Sequence, residues 1–142
     1  MNSRGMQRDL IDAAWSASAG AVDATTVTGL RAIVRRARGW SCEVRSVVLD
    51  DQSGKLHVPL LEKVDRRSPS GRVAAGELIV RRVEEFAIEG PARTRWFELG
   101  RLSFDRASGR VSIGPEGRSQ FGLTVEALDV TLRIRPQTRP RS

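Results

Sequence analysis

The chain has 142 residues, enough for one domain, and carries 24 Lys and Arg against 17 Asp and Glu, a net charge of +7. A single His and a single Cys exclude a closed zinc site, which takes about four such ligands, and exclude an intrachain disulfide, so a reducing, cytoplasmic setting is expected. An apolar fraction of 39% with 29% charged residues suits a folded domain, and no run approaches the ~20 apolar residues of a membrane span.

Arg4 and Arg8 are followed by Asp9 and Asp12 rather than by an apolar stretch, so no signal peptide is expected. Over residues 6–19, Met6, Leu10, Ile11, Ala14 and Trp15 recur in steps of three and four, which predicts one apolar helix face ending at Gly20. A second helix is predicted over 25–38, with Val27, Leu30, Ile33, Val34 and Ala37 on one side. Asp23, Thr25 or Thr26 is placed to cap its start, and Gly39 stands where a left-handed glycine ends a helix. The β-favouring run Thr25-Thr26-Val27-Thr28-Gly29 pulls the other way, towards strand or coil.

From residue 42 the texture turns to alternation with frequent turn signals, the all-β pattern. Two segments superpose: Leu49-Asp50-Asp51-Gln52-Ser53-Gly54-Lys55-Leu56 and Phe104-Asp105-Arg106-Ala107-Ser108-Gly109-Arg110-Val111. Each predicts a hairpin in which the Asp side chain starts the turn and the Gly takes a left-handed conformation to close it. Residues 76–90 predict one bent strand or two short ones. Inward parity changes near Gly100 and at Glu126-Ala127, and each change predicts a corner or bulge. Leu128 to Ile134 alternates cleanly, Gly114-Pro115-Glu116-Gly117 is a turn, and 65–71 is an exposed loop. Two β-rich halves, about 42–90 and 96–135, each open with an Asp-x-x-Ser-Gly hairpin. A weaker echo links Ile33-Val34-Arg35-Arg36 to Ile79-Val80-Arg81-Arg82, and coincidence explains it in so Arg-rich a chain.

The expected architecture is mainly β: an antiparallel β-sandwich or partly open barrel preceded by one or two N-terminal helices. The helices cover an edge or face of the sheet. The expected division is a helical segment at 1–41, a β domain at 42–135 and a flexible basic tail at 136–142.

Catalytic signatures are missing from the sequence. It has no glycine-rich phosphate loop, no nucleophile elbow and no His-Glu-x-x-His. His57, the only candidate imidazole base, alternates with Leu56 and Val58 and is expected to face solvent. Cys42 is expected to be a small buried hydrophobe. The adjacent carboxylates Asp50-Asp51 and Glu84-Glu85 face opposite sides of a strand and share no site. Neither a cofactor nor a metal is expected.

The charge is uneven. Residues 1–41 hold six Arg against three Asp, +3; residues 42–135 hold 16 cations against 14 anions, +2; Arg139 and Arg141 give the tail +2. Arg31, Arg35, Arg36 and Arg38 lie in a stretch without acids, and on a helix Arg31, Arg35 and Arg38 form one stripe. Trp96 with Arg93, Arg95 and Arg101 is the other candidate cluster, since guanidinium groups beside an aromatic ring can hold phosphates and stack bases. Only one of Trp96 and Phe97 can face inward. The sequence therefore points to a non-catalytic interaction module that binds a protein partner or associates with itself. The alternative is polyanion or nucleic-acid binding through the Arg-rich segment 31–38.

Overall fold

The computed structural model describes residues 20–63 and 71–135. The predicted helix at 6–19, all but Gly71 of the predicted loop, and the tail at 136–142 lie outside the described residues. The described chain is mainly β, with eleven strands in two antiparallel sheets and one α-helix near the start, consistent with a partly open sandwich.

Strand β1 (Ala21–Ala24) precedes helix α1 (Val27–Arg36). Of the three predicted caps, Thr26 does the work: its backbone is extended and its Oγ1 accepts from the Gly29 N–H at 3.1 Å. Thr25 and Thr26 thus fall at or before the cap, where helix propensity is not at stake, and Thr28 alone of the threonines lies in the first helical turn. Arg35 and Arg36 fill the last turn, where cations offset the helix dipole. Leu30, Ile33 and Ala37 are fully buried. Gly39, with φ 84°, turns the chain after the helix towards Trp40.

The seven-stranded sheet runs β1, β11 (Val130–Ile134), β5 (Arg72–Val80), β4 (Lys55–Lys63), β2 (Ser41–Glu43) and β7 (Trp96–Glu98), with β3 (Val48–Asp50) also on β4. A short 3₁₀ turn, Val44–Ser46, separates β2 from β3. The four-stranded sheet runs β6 (Val83–Ile88), β10 (Phe121–Val125), β9 (Arg110–Gly114) and β8 (Arg101–Asp105). β1 lies in the stretch read from sequence as helical. Its four residues pair with β11, far along the chain, and bury only Ala24, so no local periodicity announces it.

Both hairpins form as the repeated segment predicts. Asp50 Oδ1 accepts from the N–H groups of Gln52 and Ser53, and Asp105 Oδ1 accepts from the Ala107 N–H. Gly54 and Gly109 stand at φ 66° and 70° and donate to the Asp50 and Asp105 carbonyls. The pseudo-repeat extends beyond the hairpins. In the first half β3, β4 and β5 lie side by side, then the chain turns a corner and β6 joins the other sheet. In the second half β8, β9 and β10 do the same, and β11 crosses back. Counted from its hairpin, each half therefore gives its fourth strand to the other's sheet, and β7 at the start of the second half joins the larger sheet as well. Residues 76–90 resolve as most of β5, which starts at Arg72, and then β6. The parity change at 126–127 is the second corner. The Ile33–Arg36 echo of Ile79–Arg82 is coincidence, one segment being helix and the other strand and corner.

The two corners hold each other. The Arg81 N–H donates to the Asp129 carbonyl at 2.9 Å, and the Glu126 N–H donates to the Arg82 carbonyl at 3.0 Å. Arg82 takes φ 57°, the one non-glycine residue in the left-handed region among those described. The Arg81 guanidinium donates to Thr131 Oγ1, which donates to Asp23 on β1.

Between the sheets, Leu56, Val58, Leu60, Leu78, Val80 and Leu132 meet Val111, Ile113, Phe121 and Leu123. Phe121 contacts Phe86 and, edge-on, Phe97 of the opposite sheet, with ring centroids 5.5 and 5.9 Å apart. Helix α1 packs its apolar face against β1 and β8, an edge strand of each sheet. This is the edge-covering role expected of it. Gly76 admits Trp40 beside β5, since a Cβ there would lie 2.5 Å from the Arg133 carbonyl oxygen and 3.0 Å from the Trp40 ring.

Candidate functional site

The seating of α1 against β8 leaves a groove of about 720 Å³ between them. Arg31 and Arg35, one helical turn apart, line it from α1, and Arg101 lines it from the first position of β8. Thr28 and Ser103 add hydroxyl groups, Val34 and Leu102 supply apolar surface, and the lining holds no carboxylate. Arg31 and Arg35 are exposed, whereas Arg101 is half-buried and its Nε is buried without a hydrogen-bond partner. Arg31, Arg35 and Arg101 form no ion pair among the described residues.

Past Val34 and Gly100 the groove continues into a second hollow of about 490 Å³, lined by Leu99 and Pro115 together with Arg38, Glu98 and Glu116. Gly100 lets the 115–118 turn close on the β7–β8 junction, because a Cβ there would sit 2.7 Å from the Glu116 nitrogen. The same junction is the parity change read near Gly100, where the chain passes from one sheet to the other.

The candidate residues divide. Arg31, Arg35 and Arg101 come together, although the sequence set Arg101 in a different cluster. Arg38 lies beyond the end of α1 and lines the neighbouring hollow. Arg36 points elsewhere, its guanidinium 5.7 Å from the centre of the Trp40 ring. Arg93 and Arg95 are exposed in the connection before β7. Phe97 takes the inward position and Trp96 is half-buried. The cation over Trp96 is Arg72 from β5, at 4.2 Å, not one of its sequence neighbours. Sequence reasoning missed Thr28, Ser103 and the Val34–Leu102 surface as site components, since small hydroxyl and aliphatic residues carry no signal until the fold aligns them.

Other reactive groups stand apart from the groove. Cys42 is fully buried on β2, and burial, aided by the charge of Glu43, pushes its thiol up to about 12 although the Ser46 hydroxyl opposes this. His57 is half-buried on the outer face of β4, its Nδ1 3.2 Å from Glu77 Oε1, and Arg133 approaches the same carboxylate oxygen. Gln120 is fully buried beneath Gly90, with neither its amide nitrogen nor its amide oxygen partnered. Among the described residues no group of three or more His, Cys, Asp or Glu could hold a metal ion, and no helix is long and apolar enough to cross a membrane.

Fold and groove together define a mainly β, partly open sandwich with a basic cleft between its helix and a sheet edge. Comparison with protein-family models, with curated proteins and with solved structures finds no match to this chain.

Proposed function

We propose that the chain is a binding module rather than a catalyst, and that the groove between α1 and β8 holds an anionic group. The observation that carries this reading is the convergence of Arg31, Arg35 and Arg101 on a lining without carboxylates. Guanidinium groups present forked donors that match phosphate and carboxylate oxygens, and such charge-assisted bonds are the stronger kind. Thr28 and Ser103 add two hydroxyl donors. The buried thiol of Cys42 and the Glu77-paired imidazole of His57 lie outside the groove.

Titration of the full chain with inorganic pyrophosphate and with a short mixed-sequence single-stranded DNA at low ionic strength tests the reading by NMR. Amide shifts are expected at 28–35 and 100–103. The affinity should fall steeply with added salt, and more steeply for the polymer. The Arg31→Ser, Arg35→Ser variant changes two exposed side chains and should bind at least about tenfold more weakly with its spectrum otherwise intact. If neither anion moves these amides, the reading is wrong.

A second reading, association with a protein partner or another copy, rests on β6. This strand pairs with β10 on one side and has no strand on the other among the described residues, and Ile88 is 60% exposed. Light scattering on the full chain decides the self-association part: a strict monomer at every concentration removes it.

A further inference from the structure

We infer that the occupant of the groove is a small amphiphile with one anionic head, a carboxylate or a phosphate monoester, and a short apolar body. This rests on the anion-binding reading and narrows it against a polymeric anion. The charge along the groove changes sign. Arg31, Arg35 and Arg101 line the first hollow, and Glu98 and Glu116 stand in the adjoining one, where Arg38 offsets only one of them. A nucleic acid or polyphosphate lying along this path would carry its next charges past two carboxylates, where like charges repel. An apolar body meets no such penalty. Val34 lines both hollows and Pro115 the second, with the nearly buried Leu102 and Leu99 beside them in the first and second. Apolar surface therefore continues from the cationic hollow into the next.

The half-buried guanidinium of Arg101 strengthens the assignment. Its Nε is buried with no hydrogen-bond partner, which is a costly arrangement for a charged donor. An anionic head in the first hollow would lie among Arg31, Arg35 and the half-buried Arg101, which line it together. The cavity of about 720 Å³ is of the size that small-molecule sites have, roughly 300–1,000 Å³, and it combines apolar surface with a few convergent polar groups as such sites do.

Calorimetric and NMR titrations of the full chain with butyrate, decanoate, decyl phosphate, pyrophosphate and the single-stranded DNA test this, with the amphiphiles kept below their micelle-forming concentrations. Decanoate is expected to bind at least about tenfold more tightly than butyrate, because the heads are identical and only the apolar body differs. It should move the amides of Val34, Leu99 and Leu102 as well as those beside the arginines. A stronger response to decyl phosphate than to decanoate assigns the head as phosphate, and the reverse assigns it as carboxylate. Val34→Asn should weaken decanoate and leave pyrophosphate unchanged. Glu98→Gln with Glu116→Gln should strengthen the DNA and leave decanoate unchanged. Equal affinities for butyrate and decanoate, or DNA binding tighter than either amphiphile, would overturn the inference. Should pyrophosphate still bind at the arginines, the broader reading survives. If no anion binds, both fall.

Discussion

Cys42 and Arg101 are both held where water does not fully reach, with opposite consequences. The thiol of Cys42 fills core volume in its neutral form, and burial pushes it up to about 12. Its folded value lies above the unfolded one, so the stability it contributes is full below the ordinary thiol range, near pH 9, and is lost as pH rises towards about 12. The unfolded chain releases its proton first, which draws the equilibrium towards unfolding. Urea denaturation across the alkaline range should show a steeper loss of stability for the native sequence than for Cys42→Ala. At neutral pH the native thiol should resist a thiol reagent until the chain is unfolded. The Arg101 guanidinium has only donors to offer, and its Nε is buried without a hydrogen-bond partner. The sequence pointed to Cys42 as a buried hydrophobe because a lone cysteine is more often that than a nucleophile. It placed Arg101 beside Trp96 because nearness in sequence was the only nearness visible.

At the scale of elements, the two hairpins were the most legible features, since every part of their signal lies within ten consecutive residues: Asp to start, Gly to close, alternation to follow. The glycine carbonyls do more than the turn requires. Gly54 O accepts from the Val83 N–H and Gly109 O accepts from the Val125 N–H, so each turn is tied to a corner region. Gly54→Ala and Gly109→Ala should each destabilise the fold by about 1–2 kcal/mol, the cost of a left-handed conformation for a residue with a Cβ. Gly109 should be the more sensitive, because its added Cβ would lie 3.1 Å from the Val125 carbonyl oxygen against 3.4 Å to that of Val83 for Gly54. Urea midpoints of the two variants, measured side by side, check the order as well as the size. The corners were half-legible. Parity changes marked the one at 126–127 and the β7–β8 junction, but Arg82 adopts its left-handed backbone without any glycine to announce it. Helix α1 was legible in its apolar face and its cap. β1 was not, because a strand of four residues draws its pairing from β11, near the far end of the described chain.

For the molecule as a whole, counting charges by segment separated a nearly balanced β body from a basic segment ahead of it, and that separation survives in the structure in part. Arg31 and Arg35 of the basic segment face the groove, but the third guanidinium belongs to the balanced body. A count along the chain cannot see that a strand start will be brought against a helix face. The same limit applied to the pseudo-repeat: its two openings were visible, while the exchange of fourth strands between the sheets was not. That exchange has a consequence for how the chain becomes ordered. A break between Glu89 and Trp96 would leave one fragment with five strands of the larger sheet and β6 of the smaller, and a second with three strands of the smaller sheet and β7 and β11 of the larger. Neither fragment can close a core alone, so the two are expected to order together and to remain clasped once they have. Contacts between corners so far apart in the chain also place folding among the slower topologies. Were two molecules to exchange these strands, the corners at 81–82 and 126–129 would be the segments that have to open.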